Sequence, residues 1–256
     1  MPPCYGLYRE FARVDEAIEK AIAECYPRSW DENHISFTWL KALLAIGSNL
    51  QMPLPVGLSV AWDVYKQAGI LEEDNGDIAF LVKLVFPNGN KLIGVGFLEA
   101  KRIYNSGKYD ALKWAQLRHM NNNSTSHQLL LYDFEPQIPS FSPIGGCCWD
   151  GPCRFCCDRK SSALVAPTVH ALAYEEKDRS LMAISHRLSE QIFFRYFRGL
   201  DLNFDQDMVA NVRNGFDGGV KFLAIASVRI GELQDDELSF DGVRPSESSR
   251  FLRIDR

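Results

Sequence analysis

Gly76-Asp77-Ile78-Ala79-Phe80-Leu81-Val82-Lys83-Leu84-Val85-Phe86-Pro87-Asn88-Gly89-Asn90-Lys91-Leu92-Ile93-Gly94-Val95-Gly96-Phe97-Leu98-Glu99-Ala100-Lys101-Arg102 is the stretch that decides the fold. Residues 77–86 and 92–101 are β-branched and apolar runs on either side of Pro87-Asn88-Gly89-Asn90, the pattern of a β-hairpin. Both runs are apolar on both faces in their middles, as expected of central strands covered on two sides. The polar residues gather at the open end, with Asp77 starting one run and Glu99 and Lys101 finishing the other.

Side chains alternate along a strand, so Glu99 and Lys101 share a face, with Val95 and Phe97 below them. Asp77 lies on the face of Ala79, Leu81 and Lys83. Two carboxylates and an ammonium at one end of a buried sheet are costly unless compensated. A divalent cation such as Mg²⁺, which favours carboxylate oxygens and keeps several waters, would compensate them. Register tests this. A plain two-residue Asn88-Gly89 turn pairs Asp77 with Ala100, which puts Asp77 on the face opposite Glu99. A three-residue loop, Asn88 to Asn90, pairs Asp77 with Lys101 and brings Glu99 diagonally close. The site therefore requires an odd loop or a bulge.

Working outward, residues 6–25 repeat Leu7, Phe11, Val14, Ile18, Ala21, Ile22 and Cys25 at helical spacing, and Pro27 stops the helix. A second helix is expected over 33–46, ending at Gly47, and 57–66 reads as a strand or short helix. Residues 108–120 read as a helix and 127–134 as a buried strand. From Pro136 to Ala166 the chain is rich in Pro, Gly, Ser and Cys and reads as an irregular insertion. A helix at 185–198, a short helix near 205–213 and a strand at 219–230 follow, and the polar tail after Asp241 is expected to be mobile. The alternation of helices and strands gives an α/β class, a mixed sheet flanked by helices.

With 256 residues, 46% of them apolar, the chain can bury the core of one domain. No apolar run is long enough to span a bilayer, and Met1-Pro2-Pro3-Cys4-Tyr5 lacks the pattern of a signal peptide, so a cytoplasmic location with no membrane partner is expected. Five of the seven cysteines lie between Cys147 and Cys157, which fits reduced thiols or a metal site better than a disulfide framework. The net charge of −5 argues against a surface coated for nucleic acid. Locally, however, Lys101, Arg102, Lys108, Lys113 and Arg118 face only Asp110.

Asp77 followed by Glu99-Ala100-Lys101 at the end of the next strand resembles the PD-(D/E)xK nuclease superfamily. The nearer likeness is to bacterial members with a Gly-x-Asp strand and a Gln-Ala-Lys-Arg core, here Gly76-Asp77 and Glu99-Ala100-Lys101-Arg102. It continues through Tyr109, Gln116-Leu117 and Leu130-Leu131-Tyr132, and covers roughly 30–135. The loose Pro-Asp start is absent. The resemblance implies a restriction-endonuclease-like core at about 28–135, a Cys-rich insertion at 136–166 and a C-terminal α/β extension at 167–256, all in one domain. It implies Mg²⁺ (or Mn²⁺) held by Asp77, Glu99 and the Ala100 carbonyl, with Lys101 orienting or activating the attacking water. The implied activity is hydrolysis of DNA phosphodiester bonds, with RNA left open, in antiviral defence or genome maintenance, where a protein partner from a defence system would act with it.

Further residues follow from position. Glu32 matches an additional acidic ligand that some members carry on the helix before the sheet, and it also closes a capping box from Ser29. Tyr109, Lys113, Gln116 and Met120 align at i, i+4, i+7 and i+11 if 108–120 is one helix. Gln116 matches a glutamine that relatives place near metal or phosphate. Arg102, Lys108, Lys113 and Arg118 are the candidate nucleic-acid contacts, and Arg195 and Arg198 are further phosphate candidates. Cys153 and Cys156 form one CxxC knuckle. With Cys148 (or Cys147) and Cys157, His170 or Cys25, it offers four ligands for Zn²⁺ or an iron–sulfur cluster. Two other readings stand beside the nuclease. One is a catalytically silent nuclease-like module that binds nucleic acid or a partner protein. The other is a metal-stapled interaction protein whose hairpin acids form only a salt bridge.

Overall fold

The structure is a computed structural model, and it describes residues 4–46, 49–52, 57–68, 76–138, 160–215, 219–231 and 238–255. Helices α1 (Cys4–Ala23) and α2 (Glu32–Ile46) lead into strands β1 (Asn49–Met52), β2 (Leu58–Gln67), β3 (Ile78–Val85) and β4 (Lys91–Arg102). After α3 (Trp114–Asn123) come β5 (His127–Gln137), β6 (Ser161–Pro167), α4 (Thr168–Tyr174) and the short β7 (His186–Arg187). A helical run, 188–198, passes from α5 (Leu188–Glu190) through a π turn (Gln191–Arg195) to a 3-10 turn (Tyr196–Arg198). The chain continues with α6 (Gln206–Asn214), β8 (Phe222–Ile230) and β9 (Phe251–Arg253).

Among the described residues, nine strands form one mixed sheet, in the order β1-β2-β8-β3-β4-β5-β6-β7, with β9 pairing β2 beyond the end of β1. β8 runs parallel to β3, and β5 runs parallel to β4. Because β3 and β4 are central, both of their faces are covered. One face carries Ile78, Phe80, Val82, Leu98 and Ala100 under α1, α2 and the 188–198 run. The other carries two separate apolar clusters. Ala79, Leu81, Phe97 and Ile225 pack with Val209 and Val212 of α6, whereas Leu129 and Leu131 pack with Leu117 and Met120 of α3. The boundary between these clusters falls on β4 at Glu99 and Lys101. Among the described residues, no helix is long and apolar enough to cross a membrane.

Several expectations need correction. The 108–120 helix begins only at Trp114, after turns that bury Tyr109 and Leu112, so Tyr109 and Lys113 do not share its face with Gln116. Residues 161–166 belong to β6, paired antiparallel with β5, and are not part of an irregular insertion. The tail after Asp241 is anchored: Val243 is buried, and β9 pairs with β2. The helix placed at 185–198 starts at Leu188, after a two-residue strand. The capping box from Ser29 does not form. Asp31 caps α2 instead, its carboxylate accepting from the N–H groups of Asn33 and His34, which releases the Glu32 side chain.

Candidate active site

The hairpin loop fixes the site. Phe86 donates its N–H to the Asn90 carbonyl, and Gly89 donates back to Phe86, so the loop is the three residues Pro87–Gly89. Gly89 takes φ +80°, the left-handed position that closes such a loop. This register is neither of the two anticipated. Ile78 pairs with Leu98, which puts Asp77 level with Glu99 itself and on its face.

At that end the Asp77 carboxylate replaces the next rung of the ladder. Its Oδ2 accepts the Ala100 N–H at 2.8 Å, and its Oδ1 accepts the Lys221 ammonium at 3.2 Å. Glu99 Oε1 accepts Lys101 Nζ at 2.5 Å and Gln116 Nε2 at 3.0 Å. Lys101 Nζ also donates to the Ala100 carbonyl at 2.9 Å. Glu32, at the start of α2, accepts the Arg102 N–H at 3.1 Å. Asp77, Glu99, Lys101, Gln116 and Glu32 are thus brought together. Asp77 is 3%, Glu99 1% and Lys101 7% exposed.

Burial and the neighbouring Asp77 carboxylate push Glu99 up to about 7. Burial likewise raises Glu32. For Lys101 burial pulls down, but Glu99, Asp77 and Glu32 outweigh it, so the amine is held firmly as ammonium.

Negative charge is in excess: three carboxylates face the ammoniums of Lys101 and Lys221. Glu99 Oε2 is buried with no hydrogen-bond partner. An orphaned buried carboxylate oxygen is expensive, and uptake of a proton, a water or a cation relieves it. Among the described residues, no group of three or more His, Cys, Asp or Glu is gathered as a metal-ligand set. Two carboxylates and the Ala100 carbonyl nevertheless suit a hard cation that keeps much of its water.

Lys221 escaped the reading of the sequence. It heads β8 and lies 144 residues from Asp77, and only the parallel pairing of β8 with β3 brings the two together. Arg102 stacks over the Tyr104 ring at 4.0 Å. Lys108 and Lys113 are exposed on the turns before α3, and Arg118 is paired with Glu175. Arg195 is bound to Asp201, and Arg198 lies over Phe194, so neither points into the acid cluster. Cys147, Cys148, Cys153, Cys156 and Cys157 lie outside the described residues. Of their suggested partners, Cys25 is a buried thiol donating to the Ala21 carbonyl, and burial raises its pKa, while His170 is exposed on α4.

No family model, no curated protein and no solved structure matches this chain.

Proposed function

We propose that this protein is a Mg²⁺-dependent nuclease that hydrolyses DNA phosphodiester bonds, its sheet serving as a restriction-endonuclease-like core of the PD-(D/E)xK kind. The observation that supports this best is Asp77 level with Glu99 across the hairpin, with Glu99 Oε2 unpartnered and the Lys101 ammonium alongside. Asp77, Glu99 and the Ala100 carbonyl would hold the cation. Bound there, it supplies Lewis acidity and lowers the pKa of a bound water. Gln116 fixes the Glu99 carboxylate by donating to Oε1. The Lys101 and Lys221 ammoniums orient the attacking water and offset charge on the phosphate. Glu32 adds negative charge from the α2 side, and Arg102, Lys108 and Lys113 are available to the flanking backbone. The setting of bacterial antiviral defence or genome maintenance, with a partner protein, rests on the resemblance of the motif alone.

Purified protein with Mg²⁺ or Mn²⁺ is expected to cut DNA, and Lys101→Ala to lower the rate by about 10²–10³-fold with the circular dichroism unchanged. Magnesium should also stabilise the wild type against heat, by about 2.7 kcal/mol at a hundred times Kd, and leave Asp77→Asn unmoved. Cleavage indifferent to Lys101→Ala would overturn the assignment.

A second reading has its own support. Both acids already hold ammonium partners within the chain, the arrangement of a salt-bridged strand end. A catalytically silent module of this kind would bind DNA without cutting it and show no thermal response to magnesium.

A further inference from the structure

At the same end of the sheet as the acids, a groove of about 630 Å³ opens between α2 and the β2–β9 edge. This falls in the range of ligand clefts, about 300–1,000 Å³. Phe37 and Lys41 from α2 form one side, Lys66 and Leu252 the other, with Arg253 and Asp255 at the rim. Lys66 holds its ammonium 5.6 Å from the Phe37 ring centroid. Among the described residues, Lys41 and Lys66 make no ion pair, whereas Arg253 is neutralised by Asp63. Leu252 is 64% exposed.

The groove opens on the α2 face at the same end of the sheet as the acid cluster, whereas Glu99 lies on the face of Phe97, so a strand passing from one to the other would cross the strand ends. Lys66 pairs with Phe222, and Phe222 with Ile78, so two strand spacings, about 10 Å, separate Lys66 from the start of β3. Lys221 lies between them, its carbonyl accepting the Gln67 N–H. Along α2, Phe37 lies five positions beyond Glu32, about 7.5 Å of helix.

We infer that this groove is the track for a single strand of DNA leading to the acid cluster. The inference rests on the nuclease or DNA-binding reading of that cluster and names where the strand lies. Lys41 and Lys66, without an ion pair among the described residues, suit phosphates and outnumber the one carboxylate that lines the groove, Asp255; charge alone would serve a duplex equally well. The groove adds an aromatic ring and an exposed aliphatic side chain between the charges. Unstacked bases cover such surfaces, and a duplex keeps its bases stacked inside.

Fluorescence anisotropy with labelled oligo-dT in EDTA reads binding without turnover. For the Lys41→Ala/Lys66→Ala double variant, Kd is expected to rise at least 10-fold. The slope of log K against log salt should become shallower by about 1.4, the release expected for two phosphate contacts on a single strand. Phe37→Leu, which keeps the packing and loses the ring, should weaken binding at least about 5-fold. Both lysines are exposed, so an unchanged melting temperature checks the fold. An unchanged Kd and salt slope would overturn the inference, as would an equal loss of affinity for duplex. Wild type that binds oligo-dT through these lysines but never cuts defeats the nuclease reading and leaves the groove standing. Wild type that cuts while the double variant binds normally defeats the groove alone.

Discussion

At the scale of single residues, two carboxyls among the described residues are pushed up to about 7 by desolvation. One is Glu99, whose Oε2 has no partner. The other is Glu19 on α1, which accepts from Ser161 Oγ at 2.5 Å and from the Ser162 N–H at 2.7 Å, yet is pushed up to about 7 by burial. A carboxyl raised from 4.5 to about 7 in the native state favours folding below pH 4.5 and loses that contribution as pH rises through 7. The loss is up to about 3 kcal/mol, taken at 1.36 kcal/mol per pKa unit. In urea unfolding at a series of pH values, the stability of wild type relative to Glu19→Gln should therefore fall between pH 4.5 and 7.5, a difference in which the other buried titrating groups, Glu99 and His186, cancel. Parallel pH profiles for the two proteins would refute the burial of an ionisable Glu19.

At the scale of elements, the hairpin shows what local chemistry could and could not convey. Two apolar runs about Pro87–Asn90 were enough to foresee β3 and β4, because alternation and turn residues act over a few positions. The register needed the loop itself, since one residue more or less moves Asp77 to the other face. β4 also carries a feature with no local signal. A Cβ built at Gly96 would stand 2.4 Å from Tyr196 Cε1, because the ring at the end of the 188–198 run lies directly on the strand. Gly96→Ala is expected to destabilise the protein by about 1–3 kcal/mol through overpacking, measured by thermal unfolding. A stability equal to wild type would show that the ring can retreat. Helix α3 was foreseen too early because Tyr109 and Leu112 mimic its apolar stripe, whereas their burial comes from packing with Leu117, Leu131 and Leu181.

At the scale of the whole molecule, the C-terminal third is part of the sheet. β8 lies between β2 and β3, and β9 closes the edge of β2. The segment between them buries Val243, and the Ser239 and Asp241 carbonyls accept the Lys83 ammonium. Ending the chain after Ser249 removes the buried side chains of Phe251 and Ile254, each worth about 1.5–3 kcal/mol. The truncated protein should melt several degrees lower and aggregate more readily, since the β2 edge is left open. A melting temperature equal to that of the full chain would show that β9 contributes nothing to stability.

The sequence by itself determined the α/β class, the hairpin and the helices α1, α2 and α6, and it singled out Asp77, Glu99, Lys101, Gln116 and Glu32 as candidates that the fold brings together, because periodicity, turn chemistry and a short motif are all local. Tertiary structure alone decided that Asp77 stands level with Glu99, that Glu32 reaches the Arg102 backbone, and that Lys221 joins them. It also decided that Lys41 and Lys66 line a groove at the same end of the sheet. Those contacts depend on parallel pairing and helix docking between segments as much as 144 residues apart, where no spacing along the chain records which side chains will meet.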